Sequence, residues 1–589
     1  MLLLSIISPF ITKHFDMIQP LSNKQHSSTW MLVILCFLGL FLFLGDTLFN
    51  TRGEPREAIV AVSMLKEGNW ILPVNNGVDI AYKPPFFHWL VALFSLPLGH
   101  VTEYTSRLPS ALALMVMTVA TYRFFAVRTT QTKAFLTSIV LLTSFEVHRA
   151  GVACRVDMVL TCMMVLSLFL LYRWYEKDFK GIPIGAVLCL SGAFLSKGPV
   201  GTALPLAVVA VLGLIKGKGF WNIVWRFILV LVLSLILPCA WYLAAYHEGG
   251  QRFLDLVYEE NVLRLLGKMS YESHVNPWYY NVMTVVTGFL PYTLLALAAL
   301  FTIHWKRFFR HIPAPSTWPS ITAKELKTTS EVELFNFLSF AIIFVFYCIP
   351  KSKRSVYLLP IYPFLAYYIA KMLIWIKHEH KRILTGFGFF IAFLSLLLVV
   401  AFVIVRCGAV PHSLIGNGKH AADTWATINA MALSPLTLRM VIAAILPLAA
   451  LLYFVATWKK KALSGTLAMI FSIWFALDGA ILPLVLNEKS DKPMADYILQ
   501  LAPNGPIYSY RTDVTPGNPM HPFTINYYLS DRVIPFEAKQ PQEGILIVGN
   551  DEINNFCKAY PTYHVTLEKA FDKRSCDDHK MIKIYHFKQ

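Results

Sequence analysis

Charge is scarce in this chain of 589 residues: Asp, Glu, Lys and Arg make up 15%, against about 25% in a typical soluble protein. A soluble fold of this size needs charged faces and amphipathic periods, so the scarcity argues against one. The nine cysteines contain no CxxC pair, which excludes a thiolate metal framework. No nucleotide-binding Gly-rich loop is present, so a nucleotide-sugar donor is not indicated. No internal repeat of the kind common in secondary transporters is visible. Met1–Thr12 is apolar but short and lacks a small-residue cleavage site, so residues 1–29 read as a cytoplasmic leader rather than a removed signal peptide.

What the chain has is apolar length. Hydrophobic residues reach 56% and aromatics 14%, with a mean hydropathy of +0.53. They fall in blocks of roughly 17–25 residues, enough to cross a hydrocarbon layer; Trp30–Leu48, Phe227–Ala245, Val282–Phe301, Ile383–Val405 and Leu463–Leu486 are examples. The formal charge of +17 does not indicate nucleic acid, because the cations sit in short connectors, as the positive-inside rule expects. Inside connectors at Arg173–Lys180, Lys216–Arg226, Lys306–Lys327, Lys377–Arg382 and Lys459–Lys461 give about 13 spans with the N-terminus inside and the C-terminus outside. Phe86–Gly99 is too short to span and is expected to lie at the interface.

The expected architecture is thus an all-α polytopic membrane protein with three parts. They are the leader 1–29, a transmembrane unit 30–486 with a first outer loop 51–105, and an outer tail 487–589. The tail is turn-rich and predicts strands at Pro506–Tyr510, Gly544–Gly549 and Met581–His586, with helices at Thr524–Leu529 and Glu552–Tyr560. It reads as a small α/β domain in which Cys557 and Cys576 either pair or stay free.

Ionisable residues on the outer side, where the charge rule does not put them, are the candidates for chemistry. Lys83 lies in Tyr82-Lys83-Pro84-Pro85, Lys197 in Ser196-Lys197-Gly198-Pro199, and Lys351, Lys353 and Arg354 in one run between spans. Clustered cations on one membrane face suit a phosphate group; they equally suit anchoring to anionic headgroups. Arg52-Gly53-Glu54-Pro55-Arg56-Glu57 follows the first span, and Pro55 with Ala58, Ile59, Val62 and Leu65 predicts an amphipathic surface helix. Its first turn would carry Glu54 and Arg56. Asp157 sits where a span begins, at a depth where a carboxylate is either an N-cap or functional. Cations to stabilise an anionic leaving group, with a carboxylate to deprotonate an acceptor, suit transfer of sugar from a lipid phosphate.

Gly53-Glu54-Pro55-Arg56, Lys83-Pro84-Pro85 and Ser106-Arg107-Leu108-Pro109-Ser110-Ala111 occur in order, followed by Val156-Asp157-Met158-Val159-Leu160-Thr161, Leu195-Ser196-Lys197-Gly198-Pro199 and Val356-Tyr357-Leu358-Leu359-Pro360. Together, over about residues 30–380, they resemble the superfamily of lipid A aminoarabinose transferases and protein O-mannosyltransferases. The resemblance implies a GT-C fold in a bacterial inner membrane and a periplasmic cavity for an undecaprenyl-phosphate sugar. It also implies lipid A or another glycolipid as acceptor. The resemblance maps Lys83 onto the donor phosphate and Asp157 onto the acidic residue opening span four; with the outer-side charges above, Glu54 and Asp157 are the catalytic candidates, and Lys83, Arg56, Lys197, Lys351, Lys353 and Arg354 the donor-phosphate ligands. Two positions depart from the family pattern. Gly53 stands where an aspartate is usual, and Tyr82 stands where a glutamate can serve a metal. No metal is therefore assigned, although His247 and His274 leave a divalent ion open. A protein acceptor, a polyprenyl-lipid flippase and a non-reacting binder remain as alternatives.

Overall fold

The computed structural model describes residues 23–589 apart from 264–265, 267, 269–273, 303–325, 412, 414–420, 511–521 and 550–551. The leader up to residue 22, most of the connector Lys306–Lys327 and parts of the outer loops lie outside the described residues. Seven helices are long and apolar enough to cross a membrane, or eight if Tyr280–Gly288 and Tyr292–Leu300, bent by 105°, form one broken span. Shorter apolar helices join the bundle at Gln25–Leu40, Ile184–Lys197 and Val200–Ile215 and at Gln131–Thr143. Leu438–Ala476 breaks at Lys461 (φ −130°, ψ 35°), inside the basic connector that the charge pattern marks. Counted with that double pass, these helices are consistent with the roughly 13 crossings expected from length.

The first span differs from its expected extent. Its helix ends at Leu40, and residues 41–47 turn away toward the outer side. The carbonyls that this turn frees are not left bare, because Arg107 Nη1 donates to Leu44 O (3.0 Å) and Thr47 O (2.6 Å). Charge-assisted bonds of this kind offset the loss of helical ones.

The outer loop then forms the expected helix, Gly53–Glu67, with Pro55 in its first turn and Gly68 closing it at φ 72° through a hydrogen bond from its N–H to Met64 O. A left-handed φ is open to glycine at little cost. Ala58, Ile59, Ala61 and Met64 are fully buried, so this helix is a packed element and not a raft on the membrane. Phe86–Ser95 packs beside it, and the tail covers it with the short helix Phe523–Tyr528.

The tail folds as a mixed five-stranded sheet in the order Val533–Pro535, Ile507–Tyr510, Glu543–Gly549, Met581–Lys588 and His564–Arg574. The first two pairings are parallel and the last two antiparallel. Met494, Ile498 and Ile525 pack with sheet residues on one face, and Phe536 and Phe556 on the other. Cys557 and Cys576 are separate free thiols.

Candidate active site at the outer ends of the spans

A cavity of ≈ 430 Å³ opens among the helix ends on the side of the bundle that carries the first loop. Thr47 and Glu54 from the first loop form one wall, and Arg149, Arg155 and Asp157 from a span-to-span turn another. Asn276, Lys353 and Arg354, with Asp478 from the last span, complete it. Its two cation-bearing outer segments are tied together: Lys353 N donates to His274 O (3.0 Å), and Val275 bridges Ser352. Lys353 is buried and gives its ammonium to Pro350 O (2.8 Å).

Local sequence explains how the turn residues arrive. Arg155 is extended (φ −145°, ψ 140°) and precedes the helix Val156–Glu176, which puts Asp157 in its first turn, where the helix dipole favours an anion. Ile184–Lys197 ends at Gly198 (φ 85°, ψ −158°), a conformation open essentially to glycine alone. A Cβ at Gly201 would lie 2.7 Å from Ala193 O, so glycine also lets the next helix fold back closely. This hairpin delivers Lys197 to Asp157, with which it forms an ion pair, and its ammonium lies over the Tyr357 ring at 4.3 Å. The Ser-Lys-Gly-Pro run is thus a geometric device.

Of the predicted residues, Glu54, Asp157, Lys353 and Arg354 line the cavity, and Lys197 reaches it through Asp157. Glu54 is fully engaged. Arg107 binds it with two nitrogens (2.8 and 3.0 Å), and the Cys154 amide adds a third bond at 2.8 Å. Burial pushes the Glu54 carboxyl up, but Arg107, the Cys154 amide and Arg155 outweigh it and leave it below the usual range. Glu54 therefore reads as a strut, unlike the proton acceptor expected from sequence.

Lys83 and Arg56 sit elsewhere. Both meet Glu57 Oε1, at 3.4 and 3.1 Å, while His88 Nε2 lies 3.1 Å from Oε2. Burial raises the Glu57 carboxyl, yet Lys83, His88 and Arg56 together hold it well below the usual range. Lys351 is exposed and contributes its carbonyl to Asn276 N.

Two cavity residues, Arg155 and Asp478, are not among the residues expected from sequence, whereas Arg354 is. Arg155 and Arg354 carry guanidinium groups without a hydrogen-bond partner among the described residues, and both act on Asp157 by charge. Arg155 also fills the space beside Gly53: a Cβ there would fall 1.7 Å from its Nη2. The other is Asp478, an aspartate inside an apolar run, a signal available in the sequence. As for metals, the one group of His, Cys, Asp or Glu close enough to share an ion among the described residues is Asp491, Cys576 and Asp577 in the tail. Its carboxylates already accept from the Ser575 hydroxyl, the Cys576 amide, and the Thr524 hydroxyl and amide.

Residues 82–242 match the family model described as dolichyl-phosphate-mannose-protein mannosyltransferase. A protein of Aquifex aeolicus (strain VF5) is 30% identical over 58% of this chain and 64% of its own length. The "undecaprenyl phosphate-alpha-4-amino-4-deoxy-L-arabinose arabinosyl transferase 2" of Proteus mirabilis (strain HI4320) is 26% identical over 66% of this chain and 67% of its own length. The matched part thus spans about two thirds of these relatives. The crystal structure of ArnT from Cupriavidus metallidurans bound to undecaprenyl phosphate superposes over 95% of this chain and 98% of that one, with a TM-score of 0.66 at 18% identity. The chain thus shares the fold of that structure over nearly its whole length: a polytopic helical bundle with a small sheet domain.

Proposed function

We propose that the chain transfers a glycosyl group, a pentose as in its named relatives, from a polyprenyl-phosphate carrier to lipid A or another glycolipid. The cavity would face the periplasm from the bacterial inner membrane, with the N-terminus cytoplasmic. Residues 30–486 would carry the reaction, and 487–589 a periplasmic domain. The observation that carries the reading is one cavity holding two guanidiniums, Arg155 and Arg354, that have no hydrogen-bond partner among the described residues, beside the Asp157–Lys197 pair.

The chemistry follows from that grouping. Arginine presents a planar fork suited to phosphate oxygens, so Arg155 and Arg354 take the donor phosphate and stabilise it as it leaves. Lys353 adds positive potential from the wall. Lys83 and Arg56, steadied by Glu57, supply cations at the loop helix for the same carrier. Asp157 has one oxygen on Lys197 and the other without a partner among the described residues; it opposes positive charge developing on the sugar ring. A protein acceptor is the competing reading, in keeping with the description of the matched family model.

The test is to incubate the purified protein with undecaprenyl phosphate-α-4-amino-4-deoxy-L-arabinose and lipid A and weigh the products. A pentosyl mass gain that is lost in Lys83→Ala and Asp157→Asn supports the reading. Donor left intact by the wild-type protein refutes it, and full activity in both variants refutes the site assignment.

A further inference from the structure

The last apolar helix is interrupted on the cavity wall. Leu477–Ile481 is a π-helical turn between Leu438–Ala476 and Leu482–Asn487, and it carries Asp478. Turns of this kind break the helical register and are frequent at functional sites. His148 Nε2 donates to Asp478 Oδ2 at 2.6 Å, and the imidazole is buried against the Trp474 ring at 4.3 Å. One carboxylate oxygen is thus fixed, while Oδ1 has no hydrogen-bond partner among the described residues and the residue lines the cavity. The wall beside it is apolar. Leu482 and Leu486 follow Asp478 at successive helical turns, and Phe43 and Leu44 line the same cavity. In such surroundings a charge acts more strongly than it does in water.

Three carboxylates line this cavity, and their partners differ. Glu54 is bound on both oxygens by Arg107, and Asp157 is paired with the Lys197 ammonium. Asp478 is the one whose partner is an imidazole rather than a lysine or arginine side chain. Arg149 is in turn taken by Glu146 at 2.7 Å. What the walls offer a ligand is therefore the positive charge of Arg155, Arg354 and Lys353, and one carboxylate oxygen on Asp478. A donor carrying a phosphate anion and an ammonium group on one sugar matches both signs. On a six-membered ring with phosphate at C1 and an amine at C4, the two charges lie across the ring from one another. A volume of ≈ 430 Å³ is within the range of small-molecule sites.

We propose that Asp478 Oδ1 accepts a hydrogen bond from the ammonium group of the transferred sugar, so that the chain selects an aminosugar donor over a neutral one. This rests on the glycosyl-transfer reading above and specifies the sugar class. His148 holds the carboxylate in place without cancelling its charge by a permanent cation. An ammonium forms a charge-assisted bond there, whereas a neutral hydroxyl forms a weaker one and leaves the carboxylate less well compensated.

A donor that differs at one group tests this. The full chain in nanodiscs is given lipid A with undecaprenyl phosphate-α-4-amino-4-deoxy-L-arabinose or, in a separate reaction, its 4-hydroxy counterpart, undecaprenyl phosphate-α-L-arabinose, and the products are weighed. The 4-hydroxy donor is also titrated as a competitor of the amino donor, so its affinity is measured whether or not its sugar is transferred. Wild type should prefer the amino donor by about 10- to 100-fold, the effect of one charge-assisted bond. Asp478→Asn keeps the shape and removes the charge, so its preference should fall to within about threefold of unity. Its handling of the 4-hydroxy donor should stay within about threefold of wild type, which reports an intact fold and phosphate site. Asp478→Ser, a smaller neutral residue, should lose the preference in the same way. Equal use of both donors by wild type, or a wild-type preference kept in both variants, overturns the inference and leaves the glycosyltransferase reading standing. Both donors left intact by the wild-type protein overturns both.

Discussion

Replacing Gly53 by alanine tests whether Arg155 has taken over the space beside it. Gly53 opens a helix and is not among the residues with positive φ, so a methyl group there strains no backbone. The methyl carbon would stand 1.7 Å from Arg155 Nη2, 2.4 Å from Cζ and 2.9 Å from Nη1. Ordinary contact requires about 3.5 Å, so the guanidinium must retreat by roughly 2 Å. It is the far end of a flexible side chain with no hydrogen bond among the described residues to hold it, so the helix stays put. A charge-assisted bond to phosphate, worth about 1.5–3 kcal/mol, would be lost. At about 1.4 kcal/mol per decade, Gly53→Ala should lower kcat/KM by roughly 10- to 100-fold with little change in thermal stability. Arg155→Ala should cost a similar factor, and the double variant no more than Arg155→Ala alone, because both remove one contact. Transfer assays on the four proteins of this cycle decide it. A fully active Gly53→Ala, or losses that simply add, would refute the account of Arg155.

Two further outcomes follow from the buried carboxylates. Glu54→Gln strands Arg107, which is almost wholly buried, and uncompensated charges of that kind cost about 3–5 kcal/mol; a melting temperature equal to wild type in detergent would contradict it. Glu57 binds its proton more weakly folded than unfolded, because Lys83, His88 and Arg56 outweigh its burial. Its stabilisation is therefore present above the usual glutamate value of 4.5 and fades as pH falls through the lower folded value. Glu57→Gln should flatten the acid side of the melting-temperature profile, and an unchanged slope would show that the cluster contributes nothing.

Much of this architecture was legible because its signals are local. Span length and connector charge gave the bundle, down to the break at Lys461. In the tail, the strands at 507, 543 and 581 and the helices at 523 and 552 begin within a residue or so of their expected starts. His564–Arg574 escaped notice because it is an exposed strand rich in charge, without the apolar alternation that marks a half-buried one. The site was less legible because partner choice is non-local. Glu54 and Arg107 are 53 positions apart and His148 and Asp478 are 330 apart. Nothing near Glu54 in sequence tells that its oxygens are already taken. Asp478 alone carried a local flag, as a charge in an apolar helix.

The tail reaches back to the beginning of the chain. Tyr528 bonds the Phe49 amide and Glu103, Asn487 bonds the Leu48 amide, and Asp531 takes bonds from Ser63 and the Asn76 amide. These contacts brace the loop helix that holds Glu54 and Glu57, and the last span contributes Asp478. The wall of the cavity is thus braced by residues 425 to 479 positions away in sequence from the loop they hold. A variant that loosens these tail contacts would keep its spans while the cavity wall lost its support, so the shape of the cavity is a property of the two parts together.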